Sequence, residues 1–208
     1  MILSDYLFEE LLTPALLSAN KGRIKAALNQ FFQPEKTEIS YDLFYSNNAS
    51  EFLMQSDVLP SLKIIDWNSE KEEFENGFSP VMIISNSCDF AKDNERPLNQ
   101  KDALFAPLIP LDDWVNELYV EFNLQQINSF LHALKRQEHT NLFYLPLNNI
   151  NKKEYIVRLD RIYWLPQSQL KDIAANRFIS LSQWGHYLFL TKVALHMCRV
   201  PETQERFD

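Results

Sequence analysis

Residues 79–90 read SPVMIISNSCDF and join an apolar run to a polar end. The run at 80–84 is typical of a buried β-strand, and the residues that follow it are Ser, Asn, Ser, Cys and Asp. Polar side chains at such a position either form a reactive or binding edge of a sheet or make a turn in which they bond to nearby backbone. The stretch predicts a sheet in the core and makes 85–89 the first candidate for a site.

Further strand signals lie on both sides of this stretch. They are short, apolar or alternating runs, and prolines mark several of their ends. A charged run at 70–75 is predicted to be a solvated loop. Short strands with proline-marked corners are typical of a small, strongly bent sheet or barrel. The other predicted strands are 39–45, 56–67, 102–111, 141–147, 154–159 and 161–166.

Helical periodicity divides the chain into two units. Two helices separated by Pro14 and Gly22 are predicted in a preface at residues 1–36, and the strands belong to a unit at 37–208. That second unit also contains two predicted helical segments.

The first of these segments is an amphipathic insertion at 112–137, where Asp112 and Asp113 are placed to cap the helix start. The second is a final helix at 182–199, capped by Ser182. This helix is apolar on most sides, so we expect it to pack against the sheet.

Composition narrows the range of functions. Of the 208 residues, 20 are Lys or Arg and 28 are Asp or Glu, which gives a net charge of −8 and disfavours a broad nucleic-acid surface. With only three glycines, the chain has no glycine-rich phosphate loop, and we expect no cofactor. The beginning of the sequence does not resemble a secretory leader, and charged or histidine residues interrupt the apolar run near Phe189. We therefore expect a cytoplasmic protein with reduced thiols and no membrane contact.

Three blocks of the sequence resemble a known family. QSDVLPSLKIIDW (55–67) is similar to a strand opened by Gly-Asp-Ile/Val, SPVMIISNS (79–87) to an Arg-Pro strand, and YIVRLDRIYWLP (155–166) to a late strand. In this order the blocks resemble the MazF/PemK toxins, which are endoribonucleases with an SH3-like β-barrel. The resemblance covers roughly residues 55–90 and 141–166. It implies an α+β fold, with a MazF/PemK-type barrel carrying N-terminal helices, a helical insertion and a long C-terminal helix.

The resemblance also identifies what this chain lacks. The family's catalytic arginine precedes the proline of the second block, and here that position is Ser79. A guanidinium carries a fixed charge and can clamp a phosphate, which a serine cannot do. The family's small polar residue falls near 107–110, where no Ser or Thr occurs. The resemblance therefore implies a binding or regulatory component, in a toxin–antitoxin or phage-defence system, without the toxin's chemistry.

A second resemblance concerns the strand end itself. The residues from Ser85 to Asp89 resemble the Ser-Gln-x-Cys-Asp strand end of a set of bacterial intracellular proteins. Those proteins also have an arginine before a Leu-Ser helix start and a closing Arg-x-x-Pro-like element. Arg177 with ISLS (179–182), and CRVPE (198–202), fit that outline.

The candidate catalytic residues are Cys88 and Asp89. Cys88 could be a nucleophile if the fold supplied a base, with Arg158 or Arg161 as the electrostatic clamp. This is the alternative function, an active nuclease or hydrolase. The favoured interpretation makes Cys88 a small buried side chain and Asp89 a turn residue. Arg158 and Arg161 could also contact RNA beside Tyr163, but ion pairs are the favoured interpretation in an acidic protein.

The candidate binding residues are Ser85, Asn86, Asp57 and Arg177. Asp57, Asp89 and Asp160 could converge on Mg²⁺, although turn capping is favoured for each, and no Cys/His spacing fits zinc; we expect no metal. The expected partner is a protein, either a neighbouring gene product or a second copy of the chain. The insertion could bind that partner or simply extend the core, and RNA is a second possible partner.

Overall fold

The computed structural model describes residues 41–46, 53–68, 71–90, 102–147, 152–166 and 176–197, with the backbone alone at 67, 68, 88 and 89. The N-terminal preface at 1–36, the boundary at 36/37, a possible helix near Ser168 and the CRVPE segment lie outside these residues.

Six antiparallel strands form one sheet. Its path runs β1-β2-β3-β5-β4, and β6 pairs with β3. A register shift between Leu59 and Leu62 interrupts the β1–β2 ladder around Pro60, which cannot donate a ladder hydrogen bond. The strands are β1 Val58–Asn68, β2 Glu73–Ile83, β3 Asp102–Pro110, β4 Leu142–Leu145, β5 Tyr155–Arg158 and β6 Tyr163–Pro166.

Two sequence predictions about strands need correction. Part of the loop predicted at 70–75 is strand, because β2 begins at Glu73 and pairs with β1 as far as Asn68. The strand predicted at 39–45 is a turn over its described residues, with a single bridge from Tyr45 to Leu181. Local charge and the alternation of polar and apolar residues predict these two segments poorly, because tertiary pairing decides whether a short segment becomes a strand.

Three α-helices and one short 3₁₀ helix complete the described part. They are the 3₁₀ helix Ser87–Phe90, α1 Leu111–Glu121, α2 Leu124–Lys135 and α3 Gln183–Met197. The predicted insertion at 112–137 is helical, but it consists of two helices that meet at Phe122 and Asn123. No helix in the described part of the chain is long and apolar enough to cross a membrane.

One of the two predicted helix caps is confirmed, and the other is wrong. Ser182 does cap α3, since its hydroxyl accepts from the backbone N–H of Gly185 at 3.2 Å. Asp112 and Asp113 do not cap α1, which begins one residue earlier and has Pro110 at its N-cap. The two aspartates lie in the first turn, where their charge still favours the helix dipole.

The main core lies between the sheet and α3. Phe44, Phe143 and Phe189 are fully buried there, with ring centroids 5.9 Å (Phe44–Phe143) and 5.3 Å (Phe143–Phe189) apart. Helix α3 comes so close to this region that a Cβ at Gly185 would be 2.5 Å from the main-chain oxygen of Phe44. Helices α1 and α2 cover a second cluster built on β4 and β5.

The sheet is not closed by strand pairing. Residues near the C-terminus line the outer edge of β1 through the bridge from Val58 to Ile179. The Tyr45 hydroxyl then donates to the main-chain oxygen of Pro146, just after β4, at 2.6 Å. No ladder joins β4 to β1 among the described strands, so the structure gives an α+β fold with an open antiparallel sheet.

Candidate functional site

A buried polar cluster lies where the polar end of β2 meets the start of β1. Its centre is Asp57, whose Oδ2 accepts from the backbone N–H of Met54 at 2.8 Å and from Arg177 Nη1 at 2.7 Å. Its Oδ1 accepts from the Ser180 hydroxyl at 2.8 Å. Both carboxylate oxygens are therefore engaged by the protein itself.

Asp57 and Arg177 form a buried ion pair. Their side chains are 4% and 9% exposed, so both charges are almost entirely removed from water. Removing one partner of such a pair typically costs about 3–5 kcal/mol, because the other charge stays buried. The pair fastens the C-terminal segment to β1, and it joins two residues that the sequence predicted as binding residues without predicting their contact.

Ser56 and His186 form the second part of the cluster. The Ser56 hydroxyl is 3.0 Å from His186 Nδ1, and Ser56 has a positive φ of 72° in the turn closed by the Asp57 N–H to Met54 oxygen bond. Burial lowers the pKa of His186, although attraction to Asp57 and a hydrogen bond with the Gln55 backbone oppose the shift. A neutral imidazole beside a hydroxyl could act as a base, but Ser56 is only 2% exposed and a substrate would not reach it.

The polar strand end packs against the same turn. Ser85 accepts from the backbone N–H of Leu104 at 2.8 Å, and Ser87 accepts from that of Gln55 at 2.9 Å. The Gln55 side chain in turn donates to the main-chain oxygen of Ile84 at 2.7 Å. Asn86 is exposed. The predicted binding residues Ser85, Asp57 and Arg177 are thus parts of one internally bonded region.

Cys88 and Asp89 lie in the 3₁₀ helix that begins at Ser87. The structure gives their backbone path alone, and their proposed roles remain predictions. Sequence reasoning overlooked Ser56 and Ser180, and it did not connect His186 with them. A Ser-Asp pair directly before an apolar strand was the available signal for Ser56.

The two arginines considered as a clamp are both paired with carboxylates. Arg158 makes two hydrogen bonds to Asp160, at 2.7 and 2.6 Å, and its guanidinium lies 4.9 Å from the Trp114 ring centroid. Burial would raise the pKa of Asp160, but the hydrogen bond and attraction from Arg158 outweigh it, and the pKa lies below its ordinary value. Arg161 bonds to Asp66. This arrangement favours the ion-pair interpretation.

Ser79, at the position where the resembled family has its arginine, is bonded to backbone. Its hydroxyl lies 2.9 Å from the main-chain oxygens of both Pro80 and Leu108. The side chain therefore links β2 to β3 and uses its proton within the sheet.

Two of the three carboxylates considered for a metal are engaged elsewhere. Asp57 and Asp160 each bond to an arginine. Within the described ranges, no three His, Cys, Asp or Glu residues are grouped so that they could hold a metal ion. The aspartates thus serve the fold through ion pairs and hydrogen bonds.

The fold and this cluster define the class of protein only coarsely. It is an α+β protein with an open antiparallel sheet and a polar cluster whose members satisfy one another. No model of a known protein family matches the sequence, and no curated protein matches it.

Proposed function

We propose that this chain is a binding or regulatory protein, built on an SH3-like barrel of the MazF/PemK type, that acts in a bacterial toxin–antitoxin or phage-defence system by binding a protein partner. The observation that carries the proposal is the state of Ser79. The resembled family needs a guanidinium at this position, and here a hydroxyl is bonded to two backbone oxygens.

The geometry of the first block supports the barrel part of the proposal. Ser56 occupies the glycine position of the resembled Gly-Asp motif, and its φ of 72° belongs to the region that glycine adopts most readily. The bond from the Tyr45 hydroxyl to the main-chain oxygen of Pro146 also supports it, because it brings the segment bridged to Leu181 close to the end of β4.

The pairing of arginines with carboxylates supports the proposal that this protein is not a nuclease. All four arginines in the described part of the chain are paired with a carboxylate, so a phosphate bound by any of them would compete with that carboxylate. These arginines are Arg136, Arg158, Arg161 and Arg177.

A cleavage assay tests this proposal. We expect the purified protein to leave a mixed-sequence, end-labelled single-stranded RNA intact, with no more cleavage than a Cys88→Ala/Asp89→Ala double variant produces. The double variant is the matched control, because any contaminating nuclease would be present in both preparations. Gel analysis of the labelled RNA over a time course gives the measurement.

The opposite outcome supports the alternative function. If the unmodified protein cleaves RNA or DNA, and either Cys88→Ala or Asp89→Ala abolishes cleavage while circular dichroism is unchanged, the chain is a nuclease that uses the strand end. The 3₁₀ helix lies beside the Asp57 cluster through the Ser87–Gln55 bond, so this is where such chemistry would occur.

A further inference from the structure

The junction between α1 and α2 presents an exposed apolar surface, which we call the hairpin tip. It consists of Tyr119, Val120, Phe122 and Leu124, which are 54%, 84%, 44% and 60% exposed. Four large apolar side chains are thus exposed within six positions of the chain, and concentrations of exposed apolar side chains are typical of interaction sites.

The hairpin tip is held in a defined conformation. Asn123 and Gln126 form a reciprocal capping box at the start of α2, with two hydrogen bonds of 3.0 Å. The opposite side of the hairpin supplies the core contacts, through Leu111 and Leu134. The tip residues are therefore not needed to fill the core, and their surface is prepared for a partner at a low entropic cost.

Charge around the hairpin tip restricts what can bind there. Glu117 and Glu121 lie in the last two turns of α1, near the tip, and both are exposed. The helix also carries Asp112 and Asp113 in its first turn, and it contains no lysine or arginine. RNA would be repelled by this helix, and a second copy would bring the same acidic surface and a net charge of −8. A cationic polypeptide complements both the charge and the apolar side chains.

A depression on α2 continues the hairpin tip. It is shallow, has a volume of about 680 Å³, and is lined by residues that include Leu124, Asn128, His132 and Glu138. Because Leu124 belongs both to the tip and to this depression, a partner helix seated on the tip could extend along α2.

We propose that the hairpin tip is the docking surface for a basic, amphipathic segment of a partner protein. Apolar side chains of that segment cover Val120, Phe122 and Leu124, and its lysines or arginines face the carboxylates of α1. The proposal rests on the proposed binding function and names the surface and the chemistry of the partner.

Peptide binding tests this inference directly. The probe is a fluorescein-labelled peptide of about 15 residues, with Leu at helical spacing and Lys elsewhere, and the matched probe has Glu in place of Lys. We expect the Lys peptide to bind and the Glu peptide not to bind. The variant Val120→Ser/Leu124→Ser should weaken binding of the Lys peptide at least about tenfold, as measured by fluorescence anisotropy. A Glu117→Gln/Glu121→Gln variant should reduce the salt dependence of binding.

A second apolar pair gives the specificity control. Phe74→Ser/Phe78→Ser removes two exposed aromatic side chains from β2, away from the helices, and should bind the Lys peptide like the unmodified protein. The inference is overturned if this control loses binding equally, if the tip variant binds normally, or if the Glu peptide binds as well. Sedimentation that shows a dimer dissolved by the tip variant would also overturn it, since the occupant would then be a second copy.

These outcomes are separate from those of the cleavage assay. Failure of peptide binding overturns the docking surface, whereas cleavage lost in Cys88→Ala or Asp89→Ala overturns the proposed function. The tip substitutions are at exposed positions, and thermal unfolding will verify that the variant remains folded.

Discussion

At the scale of single residues, Ser56 combines a backbone cost with a side-chain bond. Its φ of 72° is a conformation that costs a residue with a Cβ roughly 1–2 kcal/mol. Its hydroxyl contacts His186, and its neighbour Asp57 is held by Arg177 and Ser180. The surrounding hydrogen bonds and the ion pair hold the turn in this strained conformation.

Two substitutions at Ser56 separate these effects. Ser56→Ala keeps the strained φ and loses the bond to His186, so we expect a loss of about 1–2 kcal/mol in the free energy of unfolding. Ser56→Gly loses the same bond but removes the strain, and it should be more stable than the alanine variant by about 1 kcal/mol. Urea unfolding of both variants measures the difference, and an equal or reversed order contradicts the account.

Residue-scale predictions from the sequence succeeded where the signal was local. Ser182 was identified as a helix cap because a cap is defined by its neighbours in sequence. The pairing of Asp57 with Arg177 joins residues 120 positions apart, and no local pattern contains that information. The partners of Arg161 and Ser79 are non-local in the same way.

At the scale of elements, α3 buries a charge within an apolar helix. Lys192 is buried, and its Nζ donates to the main-chain oxygens of Gln137, at 2.7 Å, and His139. These contacts fasten α3 to the segment after α2. Burial lowers the pKa of Lys192 to about 8, although attraction to Glu138 opposes the shift.

Stability should therefore rise with pH in the alkaline range. Lys192 loses its proton near pH 8 in the folded chain and near 10.5 when unfolded, so the unfolded state binds more protons between these values. We expect the free energy of unfolding to increase by roughly 2 kcal/mol from pH 8 to pH 10 through this group. Lys192→Met should lack this increase in urea unfolding, and an identical pH slope in the variant would refute it.

At the scale of the whole molecule, the sequence predicted most elements but not how the sheet ends. Strands at 56–67 and 102–111, and the apolar end of β2 at 80–83, were recognised because buried strands are apolar. The more exposed part of β2 at 73–79 was not recognised. Closure depends on whether distant edges meet, and no ladder joins β4 to β1 among the described strands. The break of the insertion at Asn123 was missed because helical spacing continues across it.

Acid should destabilise the molecule through His186. Its pKa is lower in the folded chain than the unfolded value near 6.5, so the unfolded state binds more protons as the pH falls below that value. We expect the free energy of unfolding to decrease between pH 7 and pH 5, and His186→Asn, which can keep a bond to Ser56, should show a shallower decrease. A variant as acid-sensitive as the unmodified protein would contradict this assignment.

The edge of the sheet beside β1 is completed by a segment far along the chain. The backbone N–H of Val58 donates to Ile179 at 2.9 Å, and that of Ser182 donates to Phe44 at 3.0 Å. A ribosome delivers Phe44 and β1 well before residues 179–182 emerge, so the growing chain carries an uncovered strand edge during that interval. An uncovered strand edge invites aggregation. Protection of this edge is therefore tied to the translation of the segment that leads into α3.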